Sequence, residues 1–184
     1  MNSILLRLTK LHIRFFAGGR FVRTQIMKAP DGKEQEVAIF SSIKPASLGE
    51  CTPFKRIIIH ESVLNNERLC NYVLIHEMAH KKQWWSFFKI PLCFLVLLGL
   101  IYDHWGTMYV LTLVTLFAFS WILELNADFV VMRHIGLDAF LEIRRELRKI
   151  YKPALSYIVV SWLTHPPMGV TVRIWRWLHK QGRF

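Results

Sequence analysis

Cysteine is scarce in this chain: Cys51, Cys70 and Cys93 are the three among 184 residues. An odd number without paired spacing suggests neither a disulfide framework nor a cysteine-type zinc site. Formal charge is almost missing from one long stretch, because between Trp84 and Leu123 only Lys89 and Asp103 carry any. Acids are absent altogether from residues 1–28, which hold Arg7, Lys10, Arg14, Arg20, Arg23 and Lys28. Internal repeats and a linker long enough to divide the chain are lacking too, so residues 1–184 are expected to form one domain with an ample core. The cations scattered through Met1–Phe16 argue against a secretory signal there.

What is present in excess is positive charge. The formal net charge is +11, and Arg173, Arg176, Lys180 and Arg183 add a second basic cluster near the C-terminus. Such clusters can serve nucleic acid. Beside a long charge-poor stretch they point instead to anionic lipid headgroups, each cation contributing about 1 kcal/mol near the surface. Asn2–Phe16 is expected to lie on a bilayer as an amphipathic helix.

The residues with most chemistry in them are His76-Glu77-Met78-Ala79-His80. The stretch reads as helix: Asn65 or Asn66 can cap its start, and Glu67 falls in the first turn, where the macrodipole favours an anion. Leu69, Val73, His76 and His80 then share one side. Histidines at i and i+4 lie one above the other and can hold one Zn²⁺, with Glu77 placed as general base. The bland alternative, two ordinary helical histidines beside a solvated acid, is weaker for this triplet than for a lone histidine.

A catalytic zinc takes three protein ligands and keeps one position open. Glu124 in Glu124-Leu125-Asn126-Ala127-Asp128 is the expected third ligand. Asp128, again at i+4, is expected to accept from the outer nitrogen of a ligating histidine and fix its tautomer. The alternative is a helix-end acid pair in water, which the apolar run just before Glu124 disfavours.

Residues 84–123 lie between the two motifs. Ile90–Tyr102 and Thr107–Leu123 are apolar runs separated by Asp103-His104-Trp105-Gly106, and a spanning helix needs about 20 such residues. Trp84, Trp85, Tyr102, Trp105 and Trp121 sit near the ends, where interfacial aromatics belong. A transmembrane hairpin is expected, in preference to a buried hairpin of a soluble protein. It returns the chain to the side it left, so His80 and Glu124 face the same boundary. Lys81 and Lys82 flank the first run while the turn holds neither Lys nor Arg, which places that boundary on the cytoplasmic side.

Taken together, HExxH, a two-span insertion, Glu124-x-x-Ala127-Asp128 and then Thr164-His165-Pro166-Pro167 with Arg173-Ile174 resemble the HtpX-like membrane zinc metallopeptidases. These are gluzincins related to the CAAX prenyl endopeptidases, with the BlaR-type sensor peptidases as nearest siblings. The resemblance runs from about Glu36 to Leu178. It implies a mainly helical α+β zincin-like domain with an inserted transmembrane hairpin. It implies one Zn²⁺ held by His76, His80 and Glu124, with Glu77 as base, Asp128 behind a ligand, and His165 donating to the developing oxyanion. The implied activity is endopeptidase action on membrane-associated or misfolded polypeptides. The alternative is a catalytically inactive or regulatory membrane scaffold or sensor, which intact Glu77 disfavours. A third reading, a peripheral basic protein binding nucleic acid, ranks lower.

Elsewhere, Arg20–Met27 and Glu36–Ser41 read as paired strands across Ala29-Pro30-Asp31-Gly32, and Arg56–His60 as a β-branched strand ending at His60. In peptidases of this clan a sheet edge beside the HExxH helix takes the substrate as an added strand. Val130–Lys149 reads as an amphipathic helix or helix pair broken near Gly136, with Arg144, Arg145, Arg148 and Lys149 on a solvated face. Pro153–Leu163 is apolar but too short to span.

Overall fold

A computed structural model describes residues 3–29, 32–43, 47–83, 106–150 and 163–182. The first expected span, with Cys93, and residues 151–162 and Arg183 lie outside the described residues.

Alternation of side chains builds a four-stranded sheet. β1 (Arg20–Lys28) pairs antiparallel with β2 (Glu34–Ser41), with Lys28 opposite Glu34 and a register shift between Phe21 and Arg23. β3 (Gly49–Cys51) and β4 (Ile57–His60) pair antiparallel, and β4 runs parallel to β2 with Val37 opposite Ile57. The strand order is β1-β2-β4-β3, so β1 and β3 are the edges. Val37, Ile39, Ile57 and Ile59 enter one core, while Ala38, Phe40 and Ile58 enter another on the opposite face. Each isoleucine buried in this way contributes about 1.5–3 kcal/mol relative to exposure.

α1 (Ser3–Phe15) covers the second face, with Ile13 in contact with that core. His12 Nε2 meets Glu50 Oε1 at 2.7 Å and ties the helix to β3. The expected N-terminal amphipathic helix therefore has one side docked on the sheet. The opposite face receives α2 (Glu67–Lys82), whose N-cap is Asn66: its side chain accepts from Leu69 N at 3.1 Å.

α3 (Gly106–Ile135) crosses α2 and has two characters along its length. Val110, Val114 and Ile122 are 57%, 58% and 61% exposed, whereas Leu123, Ala127, Val131 and Met132 are buried. Thr112–Ile135, 24 residues, is long and apolar enough to cross a membrane by length and composition, as a soluble core helix can also be. Gly136 at φ +84 ends α3 in the left-handed conformation that glycine accepts without penalty, and its N–H donates to Met132 O. α4 (Leu137–Ile150) then sends Phe140 and Ile143 into the main core. α5 (Met168–Lys180) starts after Pro167 and packs Trp175 on Phe129, ring centres 5.5 Å apart. The architecture is mixed α+β and mainly helical, as expected.

One expected surface is corrected. Arg144 does not sit with the solvated cations of α4: it turns inward, donating from Nη1 to Tyr72 Oη at 3.4 Å and lying over the Phe140 ring. The amphipathic pattern of α4 places it at the border of the apolar face, and α2 closes over that border.

Candidate metal centre

α2 and α3 bring His76, His80 and Glu124 together, with one ligand atom from each residue all within 4.8 Å of one another. His76 Nε2 and His80 Nε2 are 3.2 Å apart. Glu124 Oε2 lies 3.3 Å from His76 Nε2, and Oε1 lies 3.4 Å from His80 Nε2. Four ligands about 2.0 Å from a common centre stand about 3.3 Å apart at the corners of a tetrahedron. Two neutral-nitrogen donors and one carboxylate at that spacing fit a divalent cation such as zinc. One polar atom of the cluster points the same way: among the described residues, Glu124 Oε2 is buried without a hydrogen-bond partner. A buried acceptor left so costs about 1–3 kcal/mol, which a cation between the side chains would offset.

Asp128 Oδ1 faces His76 Nδ1 at 3.3 Å, one turn along α3 from Glu124. Burial by itself pulls the His76 imidazole down, but the carboxylates of Asp128 and Glu124 outweigh it and hold His76 well above its ordinary value. In the metal-free protein His76 thus holds its proton more tightly than an ordinary imidazole, and a cation at Nε2 must compete with it.

Gln83, unnoticed in the sequence, holds the other histidine. Its Nε2 donates to Leu123 O at 2.9 Å, which fixes the orientation of the amide. Its Oε1 therefore faces His80 Nδ1, 3.0 Å away, and accepts from it. That leaves the proton on Nδ1 and turns the lone pair of Nε2 toward the cluster. The only local signal was a polar residue three places after His80, next to an apolar run. Tyr72 was also missed. One turn before His76, its ring stacks near that imidazole at 6.2 Å, and behind it Arg144 brings a positive charge felt by Asp128 and Glu124.

Glu77 is buried at 6% exposure on the side of α2 that meets β3. Burial pushes its carboxyl up, against the pull of His76 and His80. Gly49 is what allows the close approach: a Cβ there would stand 2.2 Å from Val73 Cγ1 and 3.3 Å from Glu77 Cγ. Cys51 lies nearby, but burial and the Glu77 charge push its thiol up to about 12, which disfavours the nucleophilic thiolate. His165 reaches the cluster from the solvent side, its side chain 45% exposed and Nε2 3.2 Å from Glu124 Oε2. Its Nδ1 sits 2.9 Å from Thr164 Oγ1. The two α2 histidines, Glu124, Asp128 and His165 are thus linked one to the next at ion-pair distance around the cluster, while Glu77, next to His76 on α2, lies against Gly49 of β3. Arg173 is exposed on α5 and lines a groove that contains none of them.

No protein-family model, curated protein or solved structure matches this chain.

Proposed function

We propose that the protein is an integral-membrane zinc-dependent endopeptidase of zincin-like fold, with residues 84–123 as an inserted transmembrane hairpin and the site on the cytoplasmic face. The observation that carries this reading is the near-tetrahedral spacing of His76, His80 and Glu124, with a buried carboxylate on the residue next to a ligand.

His76, His80 and Glu124 would hold the ion, with Asp128 and Gln83 orienting the two imidazoles. When bound, zinc supplies a Lewis acid that polarises a scissile carbonyl and lets water deprotonate near neutral pH. Glu77 takes the proton of the attacking water and returns it to the leaving amine. Its raised proton affinity suits both halves of that task. His165, on the open side, donates from Nε2 to the oxyanion, a contact worth about 3 kcal/mol in comparable sites. β3 is the sheet edge beside Glu77, so an extended substrate pairs there as a fifth strand. The absence of a side chain at Gly49 keeps that approach short.

The membrane reading draws support from α1 as well as α3. Ile4, Leu11 and Phe15 form one outward stripe of α1, 66%, 51% and 70% exposed, on the side away from Ile13. Arg7, Lys10 and Arg14 run beside it along the helix, also exposed. Apolar residues flanked by cations suit a surface of anionic headgroups. Carbonate extraction separates this reading from a soluble protein, which would leave the membrane pellet. Proteolysis of an unfolded membrane-associated polypeptide by wild type but not by Glu77→Gln tests the chemistry.

A further inference from the structure

α4 and α5 enclose a groove of about 700 Å³ on the protein surface. Arg145 and Arg148 of α4 and Arg173, Arg176 and Lys180 of α5 line it, and among the described residues no carboxylate does. Two acids of α4 are engaged elsewhere, Glu142 with Arg68 and Glu146 Oε1 accepting from Asn66 Nδ2 at 3.1 Å, and the third, Asp138 in the first turn, does not line the groove. Five like charges around one hollow repel each other, and none of the described residues lining the groove offsets that. Between the cations the wall is apolar, built from Leu141, Met168, Val172 and Trp177. Trp177 is 54% exposed, an amphipathic ring at the rim. At Gly169 the groove is open, since a Cβ there would meet nothing within 4 Å.

We propose that this groove binds the headgroup of an anionic phospholipid. The arginines offer planar forks that take phosphate oxygens in pairs. Leu141, Met168, Val172 and Trp177 give the glycerol and the first acyl carbons an apolar wall, which a free phosphate would not need. Basic hollows between helices at a membrane boundary are suited to this chemistry. The inference rests on the membrane part of the proposed function but is separate from the metal, because no groove residue belongs to the His76–His80–Glu124 cluster.

The test uses the detergent-purified full chain and soluble dihexanoyl lipids, with binding read by calorimetry. Dihexanoyl phosphatidylglycerol should bind saturably. Dihexanoyl phosphatidylcholine and inorganic phosphate should each bind about tenfold more weakly or worse, the loss of one charged contact. Arg145→Gln with Arg176→Gln should weaken phosphatidylglycerol by at least about tenfold. Gly169→Phe should do the same by filling the groove while every cation remains, and a thermal melt shows that each variant is folded. Equal binding of the two lipids overturns the proposal, as does phosphate binding as well as the lipid. Undiminished binding in both folded variants also overturns it. An RNA oligonucleotide that displaces the lipid and is lost in the same variants would assign the groove to nucleic acid instead. Carbonate extraction of the same protein reports membrane residence independently, so failure of the groove and failure of the membrane reading give different results.

Discussion

Gln83 accepts a hydrogen bond from His80 Nδ1 at 3.0 Å while donating to the Leu123 carbonyl at 2.9 Å, so one amide joins the end of α2 to the helix that carries Glu124. Removing it frees the ring to rotate and to move its proton. Gln83→Ala is expected to weaken zinc about 10- to 100-fold, as loss of such outer contacts does elsewhere. Competition with a chromogenic chelator measures this. Unchanged affinity in a folded variant would mean that the amide serves only the helix junction.

Glu77→Gln removes the base without removing a ligand. Zinc retention should stay at the wild-type level while turnover falls by about 10²- to 10⁴-fold. Metal content and peptide cleavage on one preparation give both numbers, and retained turnover would refute the assigned chemistry.

His165→Ala separates an oxyanion donor from a metal ligand. The expected outcome is full zinc content with kcat lower by about 10²- to 10³-fold. Loss of zinc in this variant would show that His165, 3.2 Å from Glu124 Oε2, belongs to the ligand set.

Gly49 lies against α2 so closely that a methyl group would collide with Val73 Cγ1. Gly49→Ala is expected to destabilise the protein by about 1–3 kcal/mol, the usual cost of overpacking. Adding Val73→Ala should restore part of that loss, because it removes the atom in the way. Additive losses in the double variant, read from chemical denaturation, would place the strain elsewhere.

The metal-free protein should have its own pH dependence. His76 binds its proton more tightly folded than unfolded, because of Asp128 and Glu124. That contribution to stability is fully present below the unfolded value of about 6.5 and is lost as pH rises through the higher folded value. Zinc must compete with the same proton, so the gain in Tm on adding zinc should be largest at alkaline pH and shrink on acidification. Melting curves with zinc and with chelator across this range check both signs. A zinc gain that grows toward acid would contradict the arrangement around His76.

Much of the local structure was legible because local rules govern it. Asn66 caps α2 as its side-chain chemistry dictates, Gly136 breaks the helix after Ile135, and β2 and β4 follow their β-branched residues. The pairs His76–His80 and Glu124–Asp128 each mark one helix face, and bringing the two helices together is what the sequence only suggested. β3 was not legible as a strand: Gly49-Glu50-Cys51 has little strand preference and is held by pairing with β4 and by contact with α2. Arg144 was misread because cations on an amphipathic helix usually face water, and only packing against Tyr72 turns it inward. Gln83 and Tyr72 act through tertiary contacts that no spacing rule encodes.

The central claim is that α2 and α3 share one metal across the 84–123 insertion. Zinc per chain in detergent-purified protein, wild type beside Glu124→Ala, tests it most directly. The account predicts about one zinc in wild type and sharply weakened retention in the variant. Zinc held equally by both would remove Glu124 from the site, and no zinc in wild type after reconstitution would contradict the peptidase reading itself.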